Sequence, residues 1–228
     1  MLAIENLTAS QGSTEILRNV SLTVGDGTIV SLIGRNGVGK TTLMKAIMGL
    51  IPIKRGDIFF KNMNIKSLPP DKRANLGIGY VPQGRGIFPY LTVRENLTVG
   101  IKRSNKWDMD EVLELFPMLK SIMNRLGGNL SGGQQQQLAI ARVLLRKPKL
   151  ILMDEPTEGI QPSIVSQIQE AIKKINKEKG VAILLVEQYL DFAMDVAEQV
   201  YIMDCGRIVF EGKVEELEDE QVKNYLTI

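Results

Sequence analysis

Three short runs of apolar, largely β-branched residues punctuate the chain: Ile29–Ile33 (IVSLI), 150–153 (LILM) and 181–186 (VAILLV). Continuous apolar runs of this length predict strands buried on both faces, the pattern of a parallel sheet. Between the second and third, Ile164, Ile168, Ala171, Ile172 and Ile175 recur at helical spacing, with Lys173, Lys174 and Lys177 opposite. Strand, amphipathic helix, strand in that order predicts a right-handed βαβ crossover. The N-terminal part reads differently. Segments 3–8, 21–24 and 57–60, with Gly-Asp and Lys-Asn turns, predict short, largely antiparallel strands beside the main sheet. Residues 84–128 carry Pro89, Pro117, the lone Trp107 and helical spacing at Val112, Leu115, Phe116 and Leu119, which predicts a mostly helical insertion. Segments 201–203 and 207–210, joined by Asp204-Cys205-Gly206, read as a hairpin. One α/β domain over residues 1–228 accommodates all of these elements.

The first strand runs into Gly34-Arg35-Asn36-Gly37-Val38-Gly39-Lys40-Thr41, followed by Thr42 and the apolar helix positions Leu43, Ala46 and Ile47. This is the G-x-x-x-x-G-K-[ST] phosphate loop in its expected strand-to-helix setting. The glycines let backbone N–H groups face phosphate oxygens, and the helix N-terminus adds about half a positive charge. Lys40 is placed to reach the β- and γ-phosphates, and Thr41 to give a hydroxyl to Mg²⁺. The second apolar strand ends in Asp154-Glu155. A carboxylate at that strand tip suits Mg²⁺, held through water by Asp154, while Glu155 can polarise an attacking water.

Leu130-Ser131-Gly132-Gly133-Gln134, followed by Leu138 to Arg142, resembles the signature motif of ABC-type ATPases. Ser131 suits a helix N-cap, and the two glycines leave room for a γ-phosphate to approach the helix start. With that motif in place the resemblance covers nearly the whole chain. It implies a P-loop NTPase fold of ABC type: a mixed central sheet, an antiparallel β lobe, and a helical subdomain over about 84–145. Gln83, in Tyr80-Val81-Pro82-Gln83, is similar to the glutamine that senses Mg²⁺ and water in that family and links to the membrane subunit. The resemblance also implies two ATP molecules sandwiched head to tail between two such domains, each between one P-loop and the other chain's Ser131-Gly132-Gly133-Gln134. Transmembrane permease subunits would be the partners, and ATP and Mg²⁺ the ligands.

Within the family, 131–140 with its four glutamines, 154–163 (DEPTEGIQPS) and 186–189 (VEQY) resemble the branched-chain amino acid and urea group of importer ATPases, the urea member most. The family's switch histidine falls on Gln188, an amide that can donate to a γ-phosphate but carries no charge; charge-assisted bonds are roughly twice as strong. The aromatic that usually stacks on adenine is replaced by Gln11, which leaves aliphatic contact near Leu17 or Val20. Gln161 takes the place of the aspartate of the loop after the catalytic acid. Tyr189 and Phe192 read as packing residues.

Composition narrows the chemistry further. The 228 residues include no histidine, so His-based triads, His acid–base catalysis and imidazole zinc sites are excluded. A net charge of +2, from 28 basic and 26 acidic residues, gives no bulk electrostatic case for nucleic acid. Cys205 stands alone, without a disulfide framework, which fits a reducing compartment. No signal-peptide pattern opens the chain, and no run approaches the roughly 18 apolar residues of a membrane span. The expected location is cytoplasmic, peripheral on the inner membrane face through the permease. Asn105-Lys106-Trp107-Asp108 fits the guanine-reading N-K-x-D pattern but follows Lys102-Arg103-Ser104 rather than a buried strand, so it reads as a solvated loop.

The expected function is thus an ATP-hydrolysing importer subunit, with Phe88, Pro89, Tyr90 and Leu91 on the permease-facing surface. The alternatives are a non-transport ABC ATPase acting on nucleic acid or ribosomes, and a nucleotide sensor that does not hydrolyse ATP.

Overall fold

The N-terminal hairpin is longer than its apolar pattern implies. β1 (Leu2–Gln11) pairs antiparallel with β2 (Thr14–Val24) from Leu2 opposite Val24 down to Gln11 opposite Thr14, because Val20, Leu17 and the exposed Glu15 and Thr14 continue the ladder, with bulges, beyond 21–24. The computed structural model describes residues 1–100 and 109–217; Trp107 and the whole Asn105-Lys106-Trp107-Asp108 stretch lie outside them. After β3 (Ile29–Ile33) and α1 (Lys40–Met48), β4 (Ile53–Phe60) joins the other edge of β1, and the Lys61-Asn62 turn returns it into β5 (Met63–Asn64). Both turn residues have positive φ, 49° and 63°, the conformation that matches the twist of a tight hairpin. The antiparallel sheet is therefore ordered β2-β1-β4-β5.

The chain continues through α2 (Pro70–Leu76) into β6 (Ile78–Val81), then through helices α3 (Val93–Thr98), α4 (Met109–Leu115), α5 (Pro117–Ser121) and α6 (Gly132–Leu144). The helical region thus extends beyond 128, with α6 as its longest member. Val112, Phe116 and Leu119 are buried on one apolar cluster with Leu138 and Leu144, while Leu115 sits half-buried at its margin. Next come β7 (Leu150–Asp154), α7 (Pro162–Lys179), β8 (Ala182–Glu187) and α8 (Leu190–Val196), then the hairpin of β9 (Gln199–Asp204) and β10 (Arg207–Lys213). The second sheet is ordered β10-β9-β3-β8-β7-β6; all its pairings are parallel except that hairpin. The β7–α7–β8 crossover is the one the periodicity predicts.

Each parallel strand divides its side chains between two cores, because successive residues face opposite sides of a sheet. Val30, Leu32, Leu152 and Leu184 meet α1 and the antiparallel sheet. Ile151, Met153, Ile183 and Leu185 meet α6 and α7, whose stripe Ile168, Ala171, Ile172 and Ile175 is buried. Phe192 is buried as expected, but Tyr189 is 61 % exposed, so it is not a packing residue. The register then fixes the site. Ile33 pairs with Glu187, Asp154 with Val186, and Val81 with Met153, so four strands end together. The phosphate loop, Glu155, Gln83 and Gln188 all leave the sheet at that edge, where open α/β sheets bind ligands.

Candidate active site

The loop between β3 and α1 wraps back on itself through Lys40. Its Nζ donates to the carbonyls of Gly34 at 2.6 Å and Arg35 at 2.9 Å. Gly39, the N-cap of α1, has φ 115°, a backbone conformation closed to side-chain-bearing residues, so the turn into the helix requires glycine. Val38 points into the core, and its carbonyl accepts from the Gly206 N–H at 2.9 Å, which ties the loop to the β9–β10 turn. A cleft of about 390 Å³ opens over this loop. Asn36, Gly37, Gly39, Lys40, Thr41 and Thr42 form its floor, with Gln83 and Glu155 on one side and Gln11 and Ile16 on another.

Glu155 follows β7 with φ 49°, a left-handed conformation that is strained for a residue with a side chain. Its carboxylate lies 3.6 Å from Lys40 Nζ, both side chains being buried, and its other oxygen accepts from Gln83 Nε2 at 3.0 Å. The same Gln83 nitrogen donates to Glu158 at 3.0 Å. Asp154, fully buried, accepts from Thr41 Oγ1 at 3.1 Å and from Tyr80 Oη at 3.3 Å. Burial raises the Asp154 carboxyl above its ordinary value, against the downward pull of the Thr41 hydroxyl. Burial lowers Lys40, and the Glu155 carboxylate offsets part of that. Tyr80 is pushed up by burial and by the Asp154 charge, so it stays a hydrogen-bond donor.

Thr41, Asp154 and Gln83 supply one carboxylate, one hydroxyl and one amide oxygen. Among the described residues no three His, Cys, Asp or Glu side chains gather as a metal site. That donor set fits Mg²⁺, which is usually held by one or two carboxylates together with substrate phosphates rather than by an all-protein cage.

Residues 17–158 match the family model for the ABC transporter. The chain belongs to that family. It is 42 % identical, over 92 % of its length and 91 % of the relative's, to the high-affinity branched-chain amino acid transport ATP-binding protein BraG of Pseudomonas aeruginosa. It is 38 % identical, over 98 % and 95 %, to the lipopolysaccharide export system ATP-binding protein LptB of Haemophilus influenzae. Its fold matches a dimeric post-hydrolysis structure of the ATP-binding cassette MJ0796 bound to ADP and Pi, with TM-score 0.84 and 28 % identity, covering 95 % of this chain and all of that one. As an ABC transporter ATPase the chain is an ATP hydrolase.

Several residues of this ABC cassette stand away from the cleft. Ser131 caps α6, accepting from the Gln134 N–H at 3.3 Å while Gln134 Oε1 accepts from the Ser131 N–H at 3.0 Å. None of Ser131, Gly132, Gly133 and Gln134 lines the chain's own cleft. Gly133 is buried, and a Cβ there would come within 2.8 Å of Ile164 Cγ2, so packing of α6 on α7 already demands a glycine. Gln188 and Gln161 are exposed and outside the cleft lining. Leu17 and Val20 are fully buried and cannot meet a base; Ile16, half-exposed at the cleft beside Gln11, is the aliphatic surface instead. Strand alternation placed Leu17 inward and Ile16 outward, a signal available from the pattern once β2 is known to begin at Thr14. Tyr80 and Glu187 lie in the family-like segments 80–83 and 186–189, but their contacts at the site follow only from strand pairing.

Proposed function

We propose that the chain is the ATP-driven motor of a membrane importer for branched-chain amino acids or a related small polar solute such as urea. The observation that carries the hydrolytic part is the meeting of Lys40, Thr41, Asp154, Glu155 and Gln83 over one phosphate loop. The phosphate loop and Lys40 bind the β- and γ-phosphates. Thr41, Asp154 and Gln83 would hold Mg²⁺, which neutralises phosphate charge when bound. Glu155 orients and polarises a water in line with the bond to the leaving ADP.

The capped Ser131-Gly132-Gly133-Gln134 turn lies outside the lining of the chain's own cleft, which supports its serving the ATP of a second ATPase subunit, identical or paralogous. Gln188 gives the γ-phosphate an amide hydrogen bond in that closed dimer. The transmembrane permease docks where the chain after Gln83 meets α6. There a cleft of about 250 Å³ is lined by Tyr80, Pro82, Arg85, Val99, Arg142 and Arg146. Beside it Tyr90 is 89 % exposed, and the Arg142 guanidinium stacks 4.6 Å above the Phe88 ring. Among the described residues no helix is long and apolar enough to cross a membrane; the likeness to branched-chain amino acid transport ATP-binding proteins supports attachment at the cytoplasmic face through the permease.

BraG, similar along nearly the whole chain, supports the amino acid reading; urea rests on the sequence resemblance. The likeness to LptB supports a rival, lipopolysaccharide export. Uptake of labelled leucine and of labelled urea into vesicles holding the chain with its permease subunits decides among them. ATP-dependent uptake of neither solute overturns the importer reading.

A further inference from the structure

We propose that Glu187 is a positioning residue for ATP hydrolysis, tying the turn that carries Glu155 to the turn that carries Gln188. The inference rests on the hydrolytic reading of this site. Glu187 ends β8 beside Ile33, the last residue before the phosphate loop, and it is only 1 % exposed. One carboxylate oxygen accepts from both the backbone N–H and the hydroxyl of Thr157, at 3.2 and 2.8 Å. The other accepts from the backbone N–H of Gln188 at 3.1 Å. A single side chain thus grips the exits of two neighbouring strands.

The first exit is the strained one. Glu155 holds φ 49°, a conformation that persists only when its surroundings over-determine it. Two consecutive residues of β8 supply the restraint. The Val186 carbonyl accepts from the Glu155 N–H at 2.9 Å, and two residues further on Glu187 fixes buried Thr157. The groups facing the carboxylate all donate to it, the N–H and hydroxyl of Thr157 and the backbone N–H groups of Gln188 and Tyr189, so an acceptor is needed at both oxygens. Glutamine has the same shape but one NH₂. Turned toward Thr157, that NH₂ can donate to the hydroxyl but opposes the backbone N–H; turned the other way, it opposes the Gln188 N–H, so one of the two ties is weakened or cut.

The test is made on the full chain, with steady-state kinetics, nucleotide binding by a fluorescent ATP analogue, and thermal unfolding. Glu187→Gln is expected to lower kcat by at least about tenfold, since small misplacement of a reacting group costs up to about a hundredfold. KM for ATP and analogue binding stay near those of the parent chain. Thr157→Val, a milder change that deletes only the hydroxyl tie, lowers kcat in the same direction, and Thr157→Ser keeps more of it. The double variant Glu187→Gln with Thr157→Val is no slower than Glu187→Gln alone, because both cut one connection. An unchanged kcat in both single variants overturns the proposal. So do fully additive effects, or kcat, nucleotide binding and Tm falling together as general loosening. Glu155→Gln measured alongside separates the two readings: if it hydrolyses ATP like the parent chain, the hydrolytic site assignment itself has failed.

Discussion

The ammonium of Lys40 and the carboxylate of Glu155 lie 3.6 Å apart, and neither reaches solvent to any extent. Lys40 is also held by two carbonyls of its own loop, and Glu155 by Gln83, so one short chain of bonds joins the phosphate loop to the proposed water-polarising acid. Glu155→Gln keeps the shape and the Gln83 contact but loses the base. Steady-state phosphate release is expected to fall by about 10²-fold or more, in the range typical of general-base loss. ATP binding persists, and size-exclusion chromatography with MgATP should show an accumulated dimer. Lys40→Ala should instead remove ATP binding, together with turnover.

Asp154 gives a pH-dependent prediction. Its carboxyl is raised by burial, so the folded chain binds that proton more tightly than the unfolded chain. Stability therefore falls as pH rises through the raised value, and the penalty is complete above it. Asp154→Asn removes the charge and should raise Tm at neutral pH, by roughly 2–4 °C per kcal/mol relieved at this chain length. The gap between variant and parent closes as pH falls through the folded-state value. Turnover is lost at every pH. An asparagine variant less stable than the parent at neutral pH would contradict the sign.

Tyr80 acts through the same carboxylate. Its hydroxyl donates to Asp154 at 3.3 Å, leaving Thr41 the other oxygen. Partners of metal ligands typically change metal affinity by about 10–100-fold when removed. Tyr80→Phe should raise the Mg²⁺ concentration for half-maximal turnover, with kcat at saturating Mg²⁺ much less affected. Titration of ATPase rate against Mg²⁺ at fixed ATP checks it.

The meeting of the candidate site residues at the strand ends is legible in the sequence because motif and element coincide. Gly34 to Thr41 sits between an apolar strand and an amphipathic helix, and Asp154-Glu155 closes another apolar strand. What escaped lies in residues whose roles depend on register. Glu187 reads as one more polar residue after VAILLV until Ile33 is found beside it and Thr157 above it. Tyr80 reads as a half-buried strand aromatic until β6 pairs with β7. The polar outer face of β2 masks its full length in the sequence, and with it the outward Ile16 beside Leu17. Arg73 carried no signal at all. A buried cation that bonds, among the described residues, to backbone carbonyls instead of a carboxylate leaves no mark in the sequence.

That arginine has a defined task. It is 1 % exposed, and its guanidinium donates to four backbone carbonyls: Ala46 and Ile47 at the end of α1, and Lys66 and Leu68 in the approach to α2. It closes the C-terminus of the helix whose N-terminus is the phosphate loop, where positive charge complements the helix dipole. Arg73→Met should cost about 3 kcal/mol or more in urea unfolding, since charged hydrogen bonds are lost and their acceptors stay buried. Arg73→Lys restores only part of this, because an ammonium cannot span the four acceptors that the planar fork reaches.

Gly133 separates packing from ligand contact in the signature turn. A Cβ there meets the Ile164 side chain at 2.8 Å, so Gly133→Ala forces α6 away from α7 and should destabilise by about 1–3 kcal/mol, as overpacking does. Cutting back the obstacle with Ile164→Ala removes both Cγ atoms, which lie 2.8 and 3.1 Å from that Cβ, without touching the turn. If Gly133 matters only for packing, the double variant recovers both stability and ATPase activity. If the glycine also admits a second subunit's γ-phosphate, stability returns but activity does not. Thermal melts and phosphate release on the three variants tell these apart, and the second outcome is the one expected.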